Sequence, residues 1–269
     1  MKVTAFVGSA RKKHTYHATE QFLKKLQSLG DVDYEIVMLS DYDVRVCKGC
    51  LSCLNRGEEL CPLKDDRDLL IKKISDSDGV VFASPNYSFQ VSAIMKIFLD
   101  RLGFMFHRPR YFGKAFTGIV AQGIYGGGEI VKYLDFAGTG MGFNTVKGCC
   151  IVSREPVPEK TGMANDRKLD RLARKFHSRL VRNACPAPSL LWLMIFRMSR
   201  TSIGRLLDEN WRDFSYFREK GWFESDYYYP VVLNPLKKLA GMLFDMLAAR
   251  MSRGENKSAP RAARLDTTP

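Results

Sequence analysis

A polar segment near the start of the chain combines small residues, hydroxyls and cations that could hold an anion. The segment is Gly8-Ser9-Ala10-Arg11-Lys12-Lys13-His14-Thr15-Tyr16. It follows an apolar run, residues 3–7, and precedes a stretch of helical periodicity, so it should lead from a strand into a helix. Backbone N–H groups at a helix N-terminus attract phosphate, and basic side chains add to that attraction. The alternative is a polar turn in which Thr15 or Thr19 only caps the helix.

Two missing patterns narrow the choice of anion for this segment. It lacks the Gly-Lys-Ser/Thr ending of a loop that binds nucleoside triphosphates. It also lacks the three glycines of a loop that binds dinucleotides. A flavin 5′-phosphate therefore fits the segment better than either of those ligands.

Two later loops also carry hydroxyl, amide, aromatic or glycine residues just after predicted strands. They are Ser84-Pro85-Asn86-Tyr87-Ser88-Phe89-Gln90-Val91-Ser92-Ala93 and Ala121-Gln122-Gly123-Ile124-Tyr125-Gly126-Gly127-Gly128-Glu129. Open parallel sheets bind ligands beyond the carboxyl ends of their strands. We therefore expect both loops to meet the first segment at one crevice. Packing of Tyr87 and Phe89 in the core is the alternative.

The cysteines are clustered along the chain. Four of the seven, Cys47, Cys50, Cys53 and Cys61, form the pattern C-x2-C-x2-C-x7-C. Thiolates at two-residue spacing can wrap a [4Fe-4S] cluster, and a last cysteine before proline is similar to bacterial ferredoxin motifs. Free or redox-active thiols are a second interpretation. Structural zinc is a third, although the closely spaced third cysteine crowds a tetrahedral site.

Alternating strands and helices should position these loops. Apolar runs rich in Val, Ile and Phe predict five strands, at residues 3–7, 34–39, 79–83, 115–121 and 144–153. Helical periodicity predicts helices at residues 19–29, 91–104, 129–142 and 166–181, with another opened by Asp65-Asp66-Arg67-Asp68. This order predicts an α/β fold with a doubly wound five-stranded parallel sheet.

The character of the chain changes after Cys185-Pro186-Ala187-Pro188, where long aromatic and apolar stretches begin. We expect an α/β domain over residues 1–183, a helical, aromatic-rich extension over 184–253 and a disordered tail over 254–269. The last predicted helix, 236–251, carries the apolar stripe Leu236, Leu239, Leu243, Met246 and Leu247. Packing on the rest of the chain is its expected role. A lid, an oligomer interface or a membrane-surface contact are alternatives, the last weakened by the small number of flanking cations.

Taken together, the three loops resemble those of the NADPH-dependent FMN reductase and iron-sulfur flavoprotein families, which share the flavodoxin-like fold. Members show a Gly-Ser-x-Arg loop, a Ser-Pro-x-Tyr loop and a Gln-Gly-Gly-type loop in this order, over about two-thirds of this chain. The resemblance implies FMN contacts from Ser9, Arg11, Lys13, Thr15 and Tyr16 at the phosphate, from Pro85, Asn86, Tyr87, Ser88 and Phe89 along the isoalloxazine edge, and from Gln122, Gly123, Tyr125 and Gly126 opposite. The first loop departs from the family at Ala10, where proline is common, and at His14-Thr15-Tyr16, where Gly-Asn-Thr is common.

The resemblance implies an FMN-dependent oxidoreductase that takes hydride from NADH or NADPH and reduces a quinone, a flavin or another small acceptor. The flavin carries the chemistry, so no catalytic side chain is expected. Arg11, Lys12, Lys13 and the Arg108-Pro109-Arg110 segment could attract the phosphates of the nicotinamide nucleotide. The alternative is an iron-sulfur flavoprotein that relays single electrons between redox protein partners through FMN and a [4Fe-4S] cluster held by the four clustered cysteines.

Composition bounds the partners and the compartment. The net charge is +13, but it is spread along the chain, since residues 181–269 contribute 14 Lys and Arg against 9 Asp and Glu. Spread charge without a nucleic-acid-binding motif argues against nucleic acid. The longest apolar run, residues 190–196, falls short of the about 20 residues that a spanning helix needs. Clustered thiols and the lack of a signal peptide predict a reducing cytoplasm, and the aromatic extension predicts a homodimer or homotetramer.

Overall fold

The computed structural model describes residues 1–182 and 184–258, with side chains through residue 253. Its residues form two compact units. The first comprises Met1–Cys47 and Leu63–Ala184, and the second comprises Lys48–Pro62 and Cys185–Pro269. The segment 48–62, which holds three of the four clustered cysteines, therefore groups with the C-terminal part of the chain.

The first unit is built on a parallel sheet. Its strands are β1 (Lys2–Val7), β2 (Asp33–Met38), β3 (Gly79–Pro85), β4 (Ala115–Gln122), β5 (Asn144–Thr145) and β6 (Cys149–Val152). They lie in the order β2-β1-β3-β4-β5, with β6 also beside β4, and these pairings are parallel. This strand order is that of flavodoxin-like folds, and it confirms the predicted doubly wound sheet.

The predicted fifth strand, residues 144–153, is divided into β5 and β6. These two short strands pair with opposite ends of β4. Gly148 lies between them, so close to β4 that an added Cβ would be 2.3 Å from the backbone oxygen of Gly118. The Gly148 N–H donates to both carboxylate oxygens of Asp135, at 3.1 and 3.2 Å. The strand is interrupted because this N–H bonds a side chain instead of the ladder, at a close backbone approach that suits glycine.

Helices cover the sheet and build the C-terminal extension. In chain order they are α1 (His14–Gln27), α2 (Ser52–Asn55), α3 (Arg67–Ser75), α4 (Ala93–Arg101), α5 (Gly127–Gly140), α6 (Glu159–Arg182), α7 (Leu190–Leu206), α8 (Arg212–Glu219) and α9 (Pro235–Ser258). α1 begins at His14 rather than at residue 19, and α6 begins at Glu159 rather than at residue 166. Both early turns are polar, so an apolar stripe could not reveal them.

Apolar side chains pack on both faces of the sheet. Val3, Ala5 and Val7 of β1 belong to a buried cluster that includes residues of α1 and α6. Successive residues of a strand point to opposite faces, and Phe6 accordingly stacks on Phe98 of α4, with ring centroids 5.5 Å apart. Every residue of β3 is buried, as expected for a central parallel strand that is covered on both faces. The rigid scaffold beneath the loops is therefore a sandwich of helix, sheet and helix.

The second unit is helical and rich in aromatic contacts. Phe196 of α7 lies 4.5 Å from Tyr228, and Phe217 of α8 lies 4.9 Å from Trp222, measured between ring centroids. These contacts confirm the predicted helical, aromatic-rich extension. Among the residues that the structure describes, none of the helices is long and apolar enough to cross a membrane.

The apolar stripe of the last helix is present but is not packed. Between 49% and 79% of each side chain is exposed at Leu236, Leu239, Leu243, Met246 and Leu247. The expectation that this stripe packs on the rest of the chain is therefore wrong. α9 continues to Ser258, through residues that the sequence assigns to a disordered tail. Residues 259–269 of that predicted tail lie outside the described residues.

Asp135 should make stability depend on pH. Burial raises the pKa of its carboxyl to about 6, although hydrogen bonding from Gly148 opposes the rise. At a pH just below 6, Asp135 is therefore still protonated in the folded chain but already ionised in the unfolded chain. The contribution of Asp135 to the free energy of unfolding is lost as the pH rises through about 6. Between about pH 5 and about pH 8, we expect the free energy of unfolding of the native chain to fall by about 1.4 kcal/mol more than that of Asp135→Asn. Urea unfolding measures both.

The matched control is Asp170→Asn, because Asp170 is an exposed helical carboxylate paired with Arg174. Its pKa is lowered by the hydrogen bond from Arg174, so it is ionised throughout this pH range. Equal pH profiles for the native chain and Asp135→Asn would contradict the assignment.

Candidate functional site

Three loops meet at one edge of the sheet because the strands that precede them are neighbours. β1 pairs with β3 up to Val7 and Ala83, and β3 pairs with β4 to its last residue. The ties continue into the loops, where the Gly8 N–H donates to the Ala83 oxygen and the Asn86 N–H donates to the Ala121 oxygen, both at 2.8 Å. The structure thus brings together the first loop (residues 8–13), the second loop (86–92) and the third loop (123–126).

Ser92 joins the first loop to the second. Its hydroxyl donates to the Gly8 carbonyl in a short hydrogen bond and accepts from the Met95 N–H at 3.2 Å, which caps α4. Its own N–H donates to the Ser84 hydroxyl at 2.9 Å. A Cβ on Gly8 would lie 2.6 Å from the Met95 Cβ, so glycine lets the helix approach. Sequence reasoning gave Ser92 no role, although serine before a helix is a recognisable N-cap signal.

The first loop presents cations beside an uncapped helix. Arg11 and Lys13 are exposed, whereas Ser9 and Thr15 are buried. Lys13 is the N-cap of α1, and no side chain caps this helix, so the alternative in which a threonine caps it is wrong. The first-turn N–H groups of a helix have no partner within the helix, and their positive field favours an anion. Tyr16 is half-buried and packs on the core cluster.

The second loop holds two aromatic side chains in an exposed, strained turn. Tyr87 is 54% exposed and Phe89 is 55% exposed, so the alternative that they pack in the core is wrong. Ser88 and Phe89 have φ values of +49° and +63°, a region that residues other than glycine rarely adopt. Two backbone hydrogen bonds between Tyr87 and Gln90, each 3.0 Å, hold the turn. Pro85, at the base of the loop, is buried.

The third loop lies against the second. The Phe89 and Tyr125 rings are 5.2 Å apart, and the Asn86 amide donates to the Tyr125 carbonyl at 2.8 Å. Gly126 has φ +89°, and a Cβ there would lie 2.6 Å from the Phe89 ring. The Gln122 side chain accepts from the Gly127 N–H at 2.7 Å, at the start of α5. Asn86 and Gln122 therefore hold the two loops in place.

The edge formed by the three loops has two chemically different parts. The first loop supplies cations and a helix N-terminus without a side-chain cap, while exposed aromatic rings lie on the second and third loops, with Gly123 open beside them. A planar aromatic ligand that carries an anionic arm matches this combination. Two cavities lie elsewhere: one of about 230 Å³ beside Phe98, and one of about 630 Å³ beside Trp222 in the second unit. At the loop edge, the side chains of Tyr87, Phe89 and Tyr125 are exposed to solvent.

The predicted nucleotide-attracting role of Arg108-Pro109-Arg110 is wrong for Arg108. This residue is fully buried, and its guanidinium lies 5.7 Å from the centre of the Phe104 ring. The Arg110 guanidinium lies 5.2 Å from the same ring. The segment packs around an aromatic side chain, a stable arrangement for desolvated guanidinium groups.

The four clustered cysteines are divided between the two units. Cys47 is the last residue of its segment in the first unit, whereas Cys50, Cys53 and Cys61 belong to the second. Hydrogen bonds from Ser52 lower the pKa of the exposed Cys50 thiol, which favours its thiolate. Among the described residues, no group of three or more His, Cys, Asp or Glu side chains is arranged to hold a metal ion. The donor set suits a [4Fe-4S] cluster, but this arrangement does not gather it.

Two further cysteines lie beneath the third loop, in β6. Burial raises the pKa of Cys150 to about 11 and that of Cys149 to about 12. A Cβ on Gly127 would lie 2.4 Å from the Cys150 sulfur, so glycine lets α5 rest on this strand. These thiols are protonated packing residues at neutral pH.

Asp65, which follows the clustered cysteines in the chain, forms a buried ion pair in the first unit. Its carboxylate accepts from the backbone N–H groups of Arg45 and Arg67, at 3.0 and 3.2 Å, and pairs with the Arg101 guanidinium. The side chains of Asp65 and Arg101 are 1% and 2% exposed. Burial alone would raise the pKa of Asp65, but these hydrogen bonds hold it below its ordinary value. The sequence indicated only a carboxylate at a helix start and missed this pairing.

Sequence comparison matches this chain to a protein family and to curated relatives. The model of the NADPH-dependent FMN reductase family matches residues 1–155. An iron-sulfur flavoprotein of Archaeoglobus fulgidus is 36% identical over 141 residues, which cover 52% of this chain and 56% of that protein. The chain thus spans little more than half the length of this curated relative.

Solved structures share the fold at low sequence identity. RosB with a bound 8-demethyl-8-formylriboflavin-5′-phosphate intermediate is 12% identical with a TM-score of 0.52, over 100% of this chain and 97% of that chain. The NAD(P)H:quinone oxidoreductase of Methanothermobacter marburgensis is 16% identical with a TM-score of 0.51, over 65% and 98%. Identities this low establish the common fold alone.

Removing the Asp65 charge should strongly destabilise the first unit. Asp65→Asn leaves the buried Arg101 guanidinium without its counter-ion, which typically costs about 3–5 kcal/mol. The control is Asp100→Asn, which breaks the exposed Lys96–Asp100 pair on α4 and should cost less than about 1 kcal/mol. Urea unfolding followed by circular dichroism measures both. Equal losses would contradict the account of Asp65.

Proposed function

The chain belongs to the NADPH-dependent FMN reductase family, and on that premise we propose that it is an FMN-dependent oxidoreductase. It takes hydride from NADH or NADPH and passes electrons to a quinone, a flavin or another small acceptor. The observation that carries the proposal is the meeting of three loops at one sheet edge, with cations on one loop and exposed aromatic rings on the other two. FMN combines an anionic phosphate with a planar ring and suits both parts.

The phosphate belongs on the first loop. Arg11 and Lys13 are exposed there, and the uncapped start of α1 adds backbone N–H groups. Arginine can bind phosphate through two parallel hydrogen bonds, and lysine acts as a point charge. The buried Ser9 hydroxyl donates to the Arg11 carbonyl at 3.0 Å, so Ser9 and Thr15 shape the loop in this proposal.

The isoalloxazine ring belongs between the second and third loops. Tyr87, Ser88 and Phe89 are exposed on one, and Gly123 and Tyr125 on the other. The rings would shield one edge of the flavin from water and bury their own apolar surface. Asn86 and Gln122 position these residues through their hydrogen bonds to the third loop and to α5.

Bound FMN would supply the redox chemistry, accepting hydride from the nicotinamide and passing electrons onward. The chain then needs to bind, orient and shield, and no catalytic acid or base is required. Lys12 remains exposed beside the phosphate site and can attract the phosphates of the nicotinamide nucleotide. A cytoplasmic location and a homodimer or homotetramer remain predictions from the sequence.

An iron-sulfur flavoprotein that relays single electrons to redox protein partners is the second candidate. The similarity to the iron-sulfur flavoprotein of Archaeoglobus fulgidus supports this candidate. The C-x2-C-x2-C-x7-C pattern also supports it, and this pattern lies within the region matched by the family model. The arrangement of the described residues does not gather these cysteines, so no electron transfer step is assigned to a cluster. Iron and sulfide assays on anaerobically purified protein separate the candidates. Flavin absorbance alone favours the first, and about four irons per chain favours the second.

Anaerobic stopped-flow mixing tests the proposed reaction. The FMN-loaded full chain should lose its flavin absorbance when mixed with NADPH or NADH, because the site holds the flavin for hydride transfer. Dithionite provides the control, since it reduces flavin without a nucleotide site. Reduction by dithionite but by neither nucleotide would overturn the proposed donor and leave FMN binding intact.

A substitution in the first loop supplies the matched control for FMN binding. Arg11→Gln should weaken FMN about tenfold or more and leave riboflavin, which lacks the phosphate, nearly unchanged. Arg171→Gln changes another exposed arginine, on α6, and should alter neither affinity. Fluorescence titration measures the six dissociation constants, for FMN and riboflavin with the native chain and each variant. An equal effect of Arg11→Gln on both flavins would contradict the phosphate assignment.

A further inference from the structure

One side of α9 exposes a broad apolar surface, which we call the outer face. Its members are large apolar side chains that are each about half exposed or more: Leu236, Leu239, Met242, Leu243, Met246, Leu247 and Met251. At 100° per residue they cover about half of the helix circumference. Soluble monomers rarely expose a contiguous apolar patch larger than a few hundred Å². A stripe of this width on a terminal helix therefore indicates a surface that contacts something else.

The opposite side of α9 shows that the exposure is built into the helix. Its buried residues are small, namely Gly241, Ala248 and Ser252, and they let α9 pack against α7. A Cβ on Gly241 would lie 3.3 Å from the Arg197 guanidinium of α7. Apart from the half-buried Phe244, the large apolar residues of the helix point outward and the fully buried ones are small, which is the reverse of a surface helix that serves only its own core.

The first turn of α7 lies beside the first turn of α9. The Lys237 ammonium donates to the Pro188 carbonyl just before α7. Further toward the C-terminal ends of both helices, the Thr201 hydroxyl donates to the Asp245 carboxylate. The two helices therefore run side by side in the same direction. Leu190 and Leu191, at the start of α7, are 55% and 51% exposed, so the same end of the helix pair carries further exposed apolar side chains.

Among the side chains of α9 that the structure describes, through residue 253, the exposed charges are basic. Asp245 is the one acidic residue of α9 among residues 235–253, and it pairs with Arg197 and Arg200 of α7 at 2.6 and 2.8 Å. The exposed charges that remain on the helix are Lys238, Arg250 and Arg253. At 100° per residue, Lys238 lies beside the outer face, whereas Arg250 and Arg253 lie within its arc toward its C-terminal end. The surface is therefore apolar and carries basic side chains.

We propose that the outer face of α9 binds the surface of a bilayer that contains anionic phospholipids, with the helix lying in the interface plane. Apolar burial and attraction of basic side chains to anionic headgroups are the two contributions to such binding, and the outer face offers both. A second copy of the chain is the less favoured occupant. Pairing two α9 helices would place basic side chains against basic side chains without the acidic partners that helix pairing normally uses. This inference does not depend on the flavin.

Vesicle flotation of the full chain tests the proposal. The chain should float with vesicles of phosphatidylcholine and phosphatidylglycerol and much less with phosphatidylcholine alone. Leu239→Glu combined with Leu243→Glu should lower the partition coefficient about tenfold or more, because both side chains lie at the centre of the outer face. Lys238→Gln combined with Arg250→Gln should weaken binding to anionic vesicles and leave binding to neutral vesicles unchanged.

Leu69→Glu is the matched control, since Leu69 is 48% exposed on α3 in the first unit and should not affect flotation. Thermal unfolding of each variant shows that the fold is kept. Analytical ultracentrifugation without lipid measures the oligomeric state and so tests whether a second copy of the chain covers the outer face. Failure of the native chain to float with anionic vesicles overturns the proposal. A dimer that dissociates on Leu239→Glu and Leu243→Glu, with no flotation, would assign the face to a second copy.

Discussion

The Ser92 hydroxyl lies at the centre of the interactions on which the candidate site depends. It donates to the carbonyl of Gly8, just after β1, and it caps α4. The backbone N–H of Ser92 donates to the hydroxyl of Ser84 in β3. Two strands and a helix are thereby fixed to one another within a few ångströms of the loops. The positions of the first two loops follow from this buried junction, and the third loop is placed by β4 and by its hydrogen bond from Asn86. The loops therefore begin and end at fixed positions, which is what precise ligand placement requires.

The sequence was sufficient to predict the parts of the fold that periodicity controls. The apolar runs of β1, β3 and β4 are long and uninterrupted, so their existence, order and common edge could be predicted. The division of the fifth strand could not be predicted, because it depends on the approach of Gly148 to Gly118, which lie 30 residues apart in the chain. The early starts of α1 and α6 were hidden because their first turns are polar.

In the candidate site, residue types alone could not predict which side chains are exposed and which bond neighbouring groups of the chain. Residue types placed Arg11, Tyr87 and Tyr125 in three loops that the structure brings to one sheet edge, but only the structure shows which side chains are exposed and which hold the loops. Asn86 and Gln122 have polar side chains that a sequence argument assigns to ligand contact, yet they bond backbone groups of the neighbouring loop or helix. Cysteine spacing, in turn, could not show that Cys47 belongs to one unit and Cys50 to the other. The orientation of α9 was hidden for a related reason, since an apolar stripe has the same periodicity whether it faces a core or a partner.

Hydrogen–deuterium exchange of the full chain, with and without saturating FMN, measures the central claim most directly. Ligand contact slows exchange where it reduces local opening. The account predicts protection by FMN in peptides from residues 8–16, 84–93 and 121–129. Unchanged exchange in all three loops, or protection confined to residues 220–232 around the cavity of the second unit, would contradict it.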